Sequence, residues 1–314
     1  MTNIIKKHSE FVNFPIYLWS ESSVEDEVVS EDVVENEEGV KDTEEEVKAP
    51  ETITRIIQDW KLINENKPLW TRPQEDITEE DHHAFFKAHF KQTADPLAYS
   101  HFKLEGENRF TGLIYIPSTP PAKFLQPDAP DTHAFQLFVR RVFITDELSE
   151  IVPKWLSFIK VIIDSDDMPL NVSRETLQNH ASLKIIKNRI ITKALALLEQ
   201  LAENEPELYI KIHNQYAKAL RYGYLEVKSK HQSQIKELLR FETSRLDGVS
   251  FKEYIENMKE GQPQIYYAAG TSAKEIKQSA LVEKVIGRGF EVILVTDPLE
   301  GLEKSNLQFR ICIL

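Results

Sequence analysis

The chain has 314 residues, 41% of them hydrophobic, and a formal net charge of −13, so it is long enough for real apolar cores and carries no basic stripe of the density that nucleic-acid binding needs. No run approaches the ~18–20 apolar residues of a membrane span, and neither the opening MTNIIKKHSEF nor the closing FRICIL reads as a secretory, retention or prenylation signal. Cys312 is the only cysteine, which rules out an internal disulfide and a thiolate metal site.

In chain order, IIKKHSEFV has helical spacing, and FPIYLW after it reads as a strand. Residues 20–52 change character: Glu21 to Lys48 holds thirteen acids against two lysines, a local balance of −11, with no aromatic residue. Such a segment cannot bury enough apolar area to offset its ordering entropy, so a disordered acidic insert is expected, and the rest of the chain is close to neutral. Order resumes at 53–70, ITRIIQDWKLINENKPLW. Thr78 and Asp81 have capping-box spacing ahead of the helix HHAFFKAHF. ENRFTGLIYIPS at 107–118 reads as a strand, TPPAKFLQPDAP as a proline-rich loop, and FQLFVRRVFIT at 135–145 as one strong strand. PKWLSFIKVII reads as a short helix running into a strand. These elements predict a mixed αβα architecture.

From Ser173 a long helix is expected. Leu177, Leu183, Ile186, Ile190, Leu197 and Leu201 recur at helical spacing, and Lys184, Lys187, Arg189 and Lys193 cover the other face. Pro206 marks its boundary. A second helical stretch runs to about Leu239, with RYGYLE as a break. The pattern then changes to helix FKEYIENM, strand QIYYAAG, helix SAKEIKQSALVEKVIG and strand FEVILVTDP, a βαβ unit beyond a boundary near residue 247.

Common catalytic motifs such as GxGxxG, the P-loop, HExxH and GxSxG are missing. AAGTSAKE reads as a plain βα turn rather than a phosphate cradle. His82 and His89 share a helix face without completing a metal set, and a solvated surface is expected for them. Asp164, Asp166 and Asp167 could hold magnesium with substrate phosphates, or form only a charged loop before Pro169. Arg174, in the run PLNVSRETLQ, is a permanent cation with a planar fork of donors suited to phosphate. A cation in a helix's first turn is mildly unfavourable against the dipole, which asks for a reason. Asn171 and Gln178 are positioned to hydrogen-bond nearby.

IIKKHSEFVNFPIYLW, KPLWTRP, FVRRVFITDEL, PKWLSFIKVIIDSDDMPLNVSRETLQ, LLRFETS, QIYYAAG and EVILVTDP occur here in one order. Together they resemble the middle segment of the heat-shock protein 90 chaperone family across nearly all of residues 4–300. The resemblance implies a large αβα domain, a helical coil and a smaller αβα domain. Residues 1–19 then form the opening segment, 20–52 the acidic insert, 53–175 the large domain with its catalytic loop, 176–247 the coil, 248–300 the small domain and 301–314 a divergent tail.

The family is a dimeric, ATP-driven clamp acting on unfolded client proteins, with co-chaperones as further partners. The resemblance implies that the ATP and Mg2+ site lies in an amino-terminal domain before residue 1. It places the homodimer contact in a carboxy-terminal domain after residue 300. No cofactor and no ATPase activity are therefore expected of this chain alone. By the family's pattern Arg174 reaches the γ-phosphate of ATP, with Asn171 and Gln178 in the same catalytic loop. Phe143 and Leu170 match an apolar patch that docks on the ATP domain, and Trp70 matches an exposed aromatic that contacts clients. NFPIYLW followed by a long acidic insert is similar to the endoplasmic-reticulum paralogue, implying the lumen of that organelle, with mitochondrion or plastid as alternatives. Two further readings stand beside this: a non-enzymatic client- or partner-binding module, and an unrelated magnesium enzyme built on Asp164–Asp167.

Overall fold

A computed structural model describes residues 2–12, 14–27, 52–64, 67–105, 109–121, 135–146, 151–166, 168, 180–227, 230–296 and 311–313. The chain divides into two compact units, residues 1–67 and 68–314. The division falls between Lys67 and Pro68, rather than at either end of the acidic insert.

The first unit holds helix α1 (Thr2–Ser9) and an antiparallel ribbon of β1 (Tyr17–Glu27) and β2 (Thr52–Leu62), paired from Tyr17↔Leu62 to Glu27↔Thr52. Asn64 anchors the ribbon's base. Its Oδ1 accepts from the Ile16 amide at 2.7 Å, and its Nδ2 donates to the carbonyls of Val12 and Phe14 at 3.0 and 2.7 Å. The ribbon corrects the expected insert at its edges: residues 20–27 are a paired strand, not a structureless stretch. SESSVEDE has poor strand propensity alone, but its partner TITRIIQD supplies β-branched residues and completes the backbone ladder. Residues 28–51 of the insert lie outside the described residues.

The second unit is built on a five-stranded sheet in the order β3-β4-β7-β5-β6. Its strands are β3 (Pro96–Leu104), β4 (Phe110–Pro117), β5 (Phe135–Val139), β6 (Val142–Thr145) and β7 (Lys160–Ser165). Only β5 and β7 run parallel. Helix α2 (Glu79–Phe90) precedes β3 and starts on the expected capping box of Thr78 and Asp81. The segment expected as one strand over 135–145 is a hairpin. Arg140 and Arg141 form its two-residue turn with φ of 50° and 67°. Tight hairpin turns need two positive φ values, which Asn-Gly usually provides. With arginines there, no residue type marks the reversal.

Helix α3 (His180–Asn204) buries Ile186, Ile190, Leu197 and Leu201. Leu177 lies outside the described residues. After Glu205, Pro206 occupies the first turn of α4 (Pro206–Glu226), where its missing N–H costs nothing. RYGYLE, expected as a break, lies wholly inside α4. Gly223 is there for packing: a Cβ on it would sit 2.6 Å from Trp155 Cδ2. Helix α5 (Lys230–Leu238) follows.

A second sheet, ordered β11-β9-β10-β8, comprises β8 (Glu242–Thr243), β9 (Ile265–Ala269), β10 (Val292–Val295) and β11 (Ile311–Ile313). Helix α6 (Phe251–Glu256), capped by Ser250 and Glu253, precedes β9. The helix expected over 272–287 is two, α7 (Ala273–Lys277) and α8 (Ala280–Gly287), because Ser279 starts a new helix and accepts from the Glu283 amide at its carbonyl. The tail is not merely divergent. Its residues 311–313 pair in parallel with Ile265–Tyr267. One apolar core runs from the first sheet through Trp155, Tyr216 and α3–α5 to Ile265, Tyr267, Ile293 and Val295, so the change of pattern near residue 247 does not interrupt it.

Replacing Gly223 by alanine isolates the packing term. Helix propensity alone favours alanine by about 1 kcal/mol, yet the contact with Trp155 makes Gly223→Ala destabilising by a net of about 1–3 kcal/mol in urea unfolding. A stabilised variant would contradict the close approach.

Candidate functional site

At the carboxyl end of β7, Asp164 is buried and both carboxylate oxygens are occupied. Trp70 Nε1 donates to Oδ2 at 2.8 Å, and the Arg141 amide donates to Oδ1 at 3.1 Å. One side chain thus joins β7, the β5–β6 turn and the 3-10 turn Leu69–Thr71. Burial raises the Asp164 pKa, and the two N–H donors oppose that shift. The turn is held further by the Arg140 amide donating to the Ser165 carbonyl and by Arg140 Nε donating to the Asp166 carbonyl, each at 3.1 Å. Left-handed backbone at two non-glycine residues is costly, and these bonds compensate it.

Around the clamp lies an aromatic cluster. Trp70 packs on Phe138 and Phe85 with centroid distances of 5.2 and 6.0 Å, and Phe138 meets Phe143 edge-on at 5.6 Å. Trp70 is 1% exposed and Phe143 7%. Both correct an expectation. The large indole gains more from filling the sheet's flank and bonding Asp164 than from solvent, so Trp70 offers no client-facing ring. Phe143 likewise turns into the sheet rather than outward to a docking partner. Leu170, Asn171, Arg174 and Gln178 lie outside the described residues.

Asp164 is buried and engaged by two N–H donors, a structural role that needs no metal ion. Asp167 lies outside the described residues, and among those described no cluster of three or more His, Cys, Asp or Glu could hold a metal ion. No chemical step is assigned through Mg2+.

The helix α2 histidines are not a solvated surface pair. His82 is buried, stacked on Tyr99 at 4.0 Å, with Nδ1 3.0 Å from the Tyr115 hydroxyl. Burial, with His101 nearby, pushes its pKa down to about 4. His89 Nε2 lies 2.6 Å from Gln136 Oε1. His213, on α4, accepts from the Arg240 amide at 3.1 Å, and burial lowers its pKa to about 3. In the AAGTSAKE turn, Ser272 caps α7 by accepting from the Glu275 amide, and a Cβ on Gly270 would meet Ile276 at 2.7 Å, as a plain βα turn requires.

The Asp164 clamp was missed in the sequence. Its signal is an acid directly following the buried apolar run VII of β7, a position that demands donors from elsewhere in the chain.

The geometry of sheet, coil and second sheet has close counterparts. The family model described as Hsp90 protein matches residues 1–309. This chain belongs to the Hsp90 family. Curated Hsp90 relatives include heat shock protein 90-5, chloroplastic, of Arabidopsis thaliana, 39% identical over 98% of this chain and 39% of its own length. The endoplasmin homolog of Dictyostelium discoideum is 38% identical over 95% of this chain and 41% of its own. That of Caenorhabditis elegans is 36% identical over 96% and 39%. The chain thus spans about two fifths of the length of the Hsp90 relatives it matches. Among solved structures, the middle domain of a Plasmodium falciparum heat shock protein superposes with a TM-score of 0.67 and 31% identity. It covers 78% of this chain and 98% of its own, a share of this chain close to that taken up by residues 68–314. An Hsp90 middle domain is therefore present.

Two measurements test the site. In a double-mutant cycle, Trp70→Phe and Asp164→Asn should couple by about 1–2 kcal/mol of unfolding free energy, because each alone leaves a buried polar partner unbonded. Additive effects would contradict the hydrogen bond. For pH, both histidines have folded pKa values below the unfolded 6.5, so the unfolded chain binds more protons as pH falls. Stability should decline from pH 6.5 towards 4, by up to about 3 kcal/mol for His82 alone. His82→Gln combined with His213→Gln should flatten that slope, and an unchanged slope would remove these groups as its cause.

Proposed function

We propose that this chain acts as the middle segment of an ATP-driven Hsp90 chaperone, binding partly folded clients and supplying Arg174 to the hydrolysis of ATP held by a preceding nucleotide domain. The observation that carries this reading is the family match over residues 1–309, together with the likeness of its larger part to an isolated Hsp90 middle domain. Arg174 would act as a cation brought to the γ-phosphate from a second domain, where it stabilises charge in the transition state without being deprotonated. Asn171 and Gln178 would orient it by hydrogen bonds, and Leu170 would dock the loop against the nucleotide domain. ATP is the substrate here, and its binding belongs to the nucleotide domain. Co-chaperones and a homodimeric assembly through a following domain complete the reading. The endoplasmin relatives support the endoplasmic-reticulum lumen, and the chloroplastic relative supports a plastid as the alternative.

The exposed aromatics of the ribbon favour a second reading, a binding module that needs no nucleotide. Trp19 and Trp60 are 49% and 60% exposed and meet edge-on at 5.4 Å. Aromatic surface of this kind suits weakly specific contact with unfolded chains.

Fusion to an Hsp90 nucleotide domain provides the test. Arg174→Ala should reduce the ATPase rate of the fusion by on the order of 10³-fold, leaving nucleotide affinity and the melting temperature unchanged. An unaltered rate would remove the arginine from the mechanism. If the chain suppresses client aggregation equally with and without ATP in the fusion, the second reading holds instead.

A further inference from the structure

The β1–β2 ribbon sorts its charges by face. Paired residues of an antiparallel ladder share a face, and neighbours along a strand alternate between faces. The face that carries the Trp19↔Trp60 pair has Tyr17 towards the ribbon's base and the positions of Glu21, Glu25 and Glu27 beyond it. Arg55 and Lys61, the basic residues of the two strands, pair with Val24 and Leu18 on the opposite face, where Asp26 and Asp59 balance them. The aromatic face therefore holds acids and no base.

Tyr17, Trp19, Glu21 and Trp60 are exposed. The two indoles meet edge-on with centroids 5.4 Å apart, so each leaves a ring face that its neighbour does not cover. Among the described residues no cation lies over either ring. Indole faces carry the negative end of the ring quadrupole and are the strongest aromatic sites for a cation. Glu21 comes two residues after Trp19 on the same face, about 7 Å along the strand.

We propose that this face binds an arginine-rich, extended polypeptide segment, with one guanidinium stacked on the Trp19–Trp60 pair and the next cation along the segment on Glu21. Side chains on one side of an extended segment repeat every two residues, the spacing that separates Trp19 from Glu21. Guanidinium is planar, weakly hydrated and stacks on aromatic faces, which favours arginine over lysine. A second copy of the same face would bring like charges together. The inference rests on the binding-module reading above and adds the chemistry that the module selects.

The probes are three dye-labelled peptides with valine at alternate positions and arginine, lysine or glutamate between, titrated into the full chain and followed by anisotropy. The arginine peptide should bind saturably and several-fold more tightly than the lysine peptide, with affinity falling as salt rises, and the glutamate peptide should not bind. Residues 28–51 are also acidic, so variants must separate the ribbon from general attraction to a chain of net charge −13. Trp19→Thr with Trp60→Thr keeps that charge and the strand propensity, and should weaken the arginine peptide about tenfold. Glu21→Gln should weaken it several-fold. Asp59→Asn makes the same change of charge on the opposite face, keeps an acceptor for the Trp60 amide, and should bind like the parent. Should the tryptophan variant lose the ribbon, the contrast between Glu21→Gln and Asp59→Asn decides. No saturable binding, equal binding of the glutamate peptide, a tryptophan variant that binds like the parent, or Glu21 and Asp59 variants that weaken alike would each overturn the inference. Suppression of client aggregation without nucleotide, beside any of those failures, would leave the binding-module reading standing. Peptide binding as described without such suppression would remove client holding and keep the peptide site.

Discussion

A single buried carboxylate, that of Asp164, ties the larger unit together. Leaving a carboxylate in a dry interior is expensive unless both oxygens are satisfied. Here the Trp70 indole and the Arg141 amide satisfy them, so three segments distant in sequence are fixed at one point. The consequence is geometric. The β5–β6 hairpin can turn on two arginines in left-handed backbone only because Asp164, Ser165 and Asp166 all accept from that turn. Trp70, held by its N–H, then fills the flank of the sheet against Phe138 and Phe85.

This arrangement bears on function through what it makes rigid and what it leaves exposed. The chain leaves β7 at Ser165 and Asp166 from a fixed root, and the PLNVSRETLQ run follows within a few residues. Under the role proposed for Arg174, a stiff base would matter, since small misplacements cost much of an electrostatic catalyst's effect. The ribbon exposes Tyr17, Trp19 and Trp60, whereas Trp70, Phe138 and Phe143 at the clamp are buried. Trp70 belongs to the core.

Much of the fold was legible in the sequence where local chemistry and tertiary context agree. The capping box at Thr78, the apolar stripe of α3 and the β9 and β10 strands follow from spacing and propensity alone. What escaped was set by partners distant in the chain. The Arg140–Arg141 turn lacks a turn residue because Asp164 supplies its stabilisation. Gly223 reads as a helix breaker, yet it is the one residue that lets α4 approach Trp155. Ser20–Glu27 reads as solvated, yet it is a strand because β2 lies beside it. The catalytic roles given to Arg174, Asn171 and Gln178 rest on family resemblance, and these residues lie outside the described residues. For Trp70 and Phe143 the same resemblance pointed to exposed surfaces that here are buried.

Hydrogen exchange of the four tryptophan indoles, followed by 15N NMR on the intact chain, tests the clamp most directly. The Trp70 indole proton should exchange only through global unfolding, several orders of magnitude more slowly than that of the exposed Trp60. Asp164→Asn should accelerate Trp70 while leaving Trp60 unchanged. A Trp70 indole that exchanges as fast as Trp60 would contradict the account at its base.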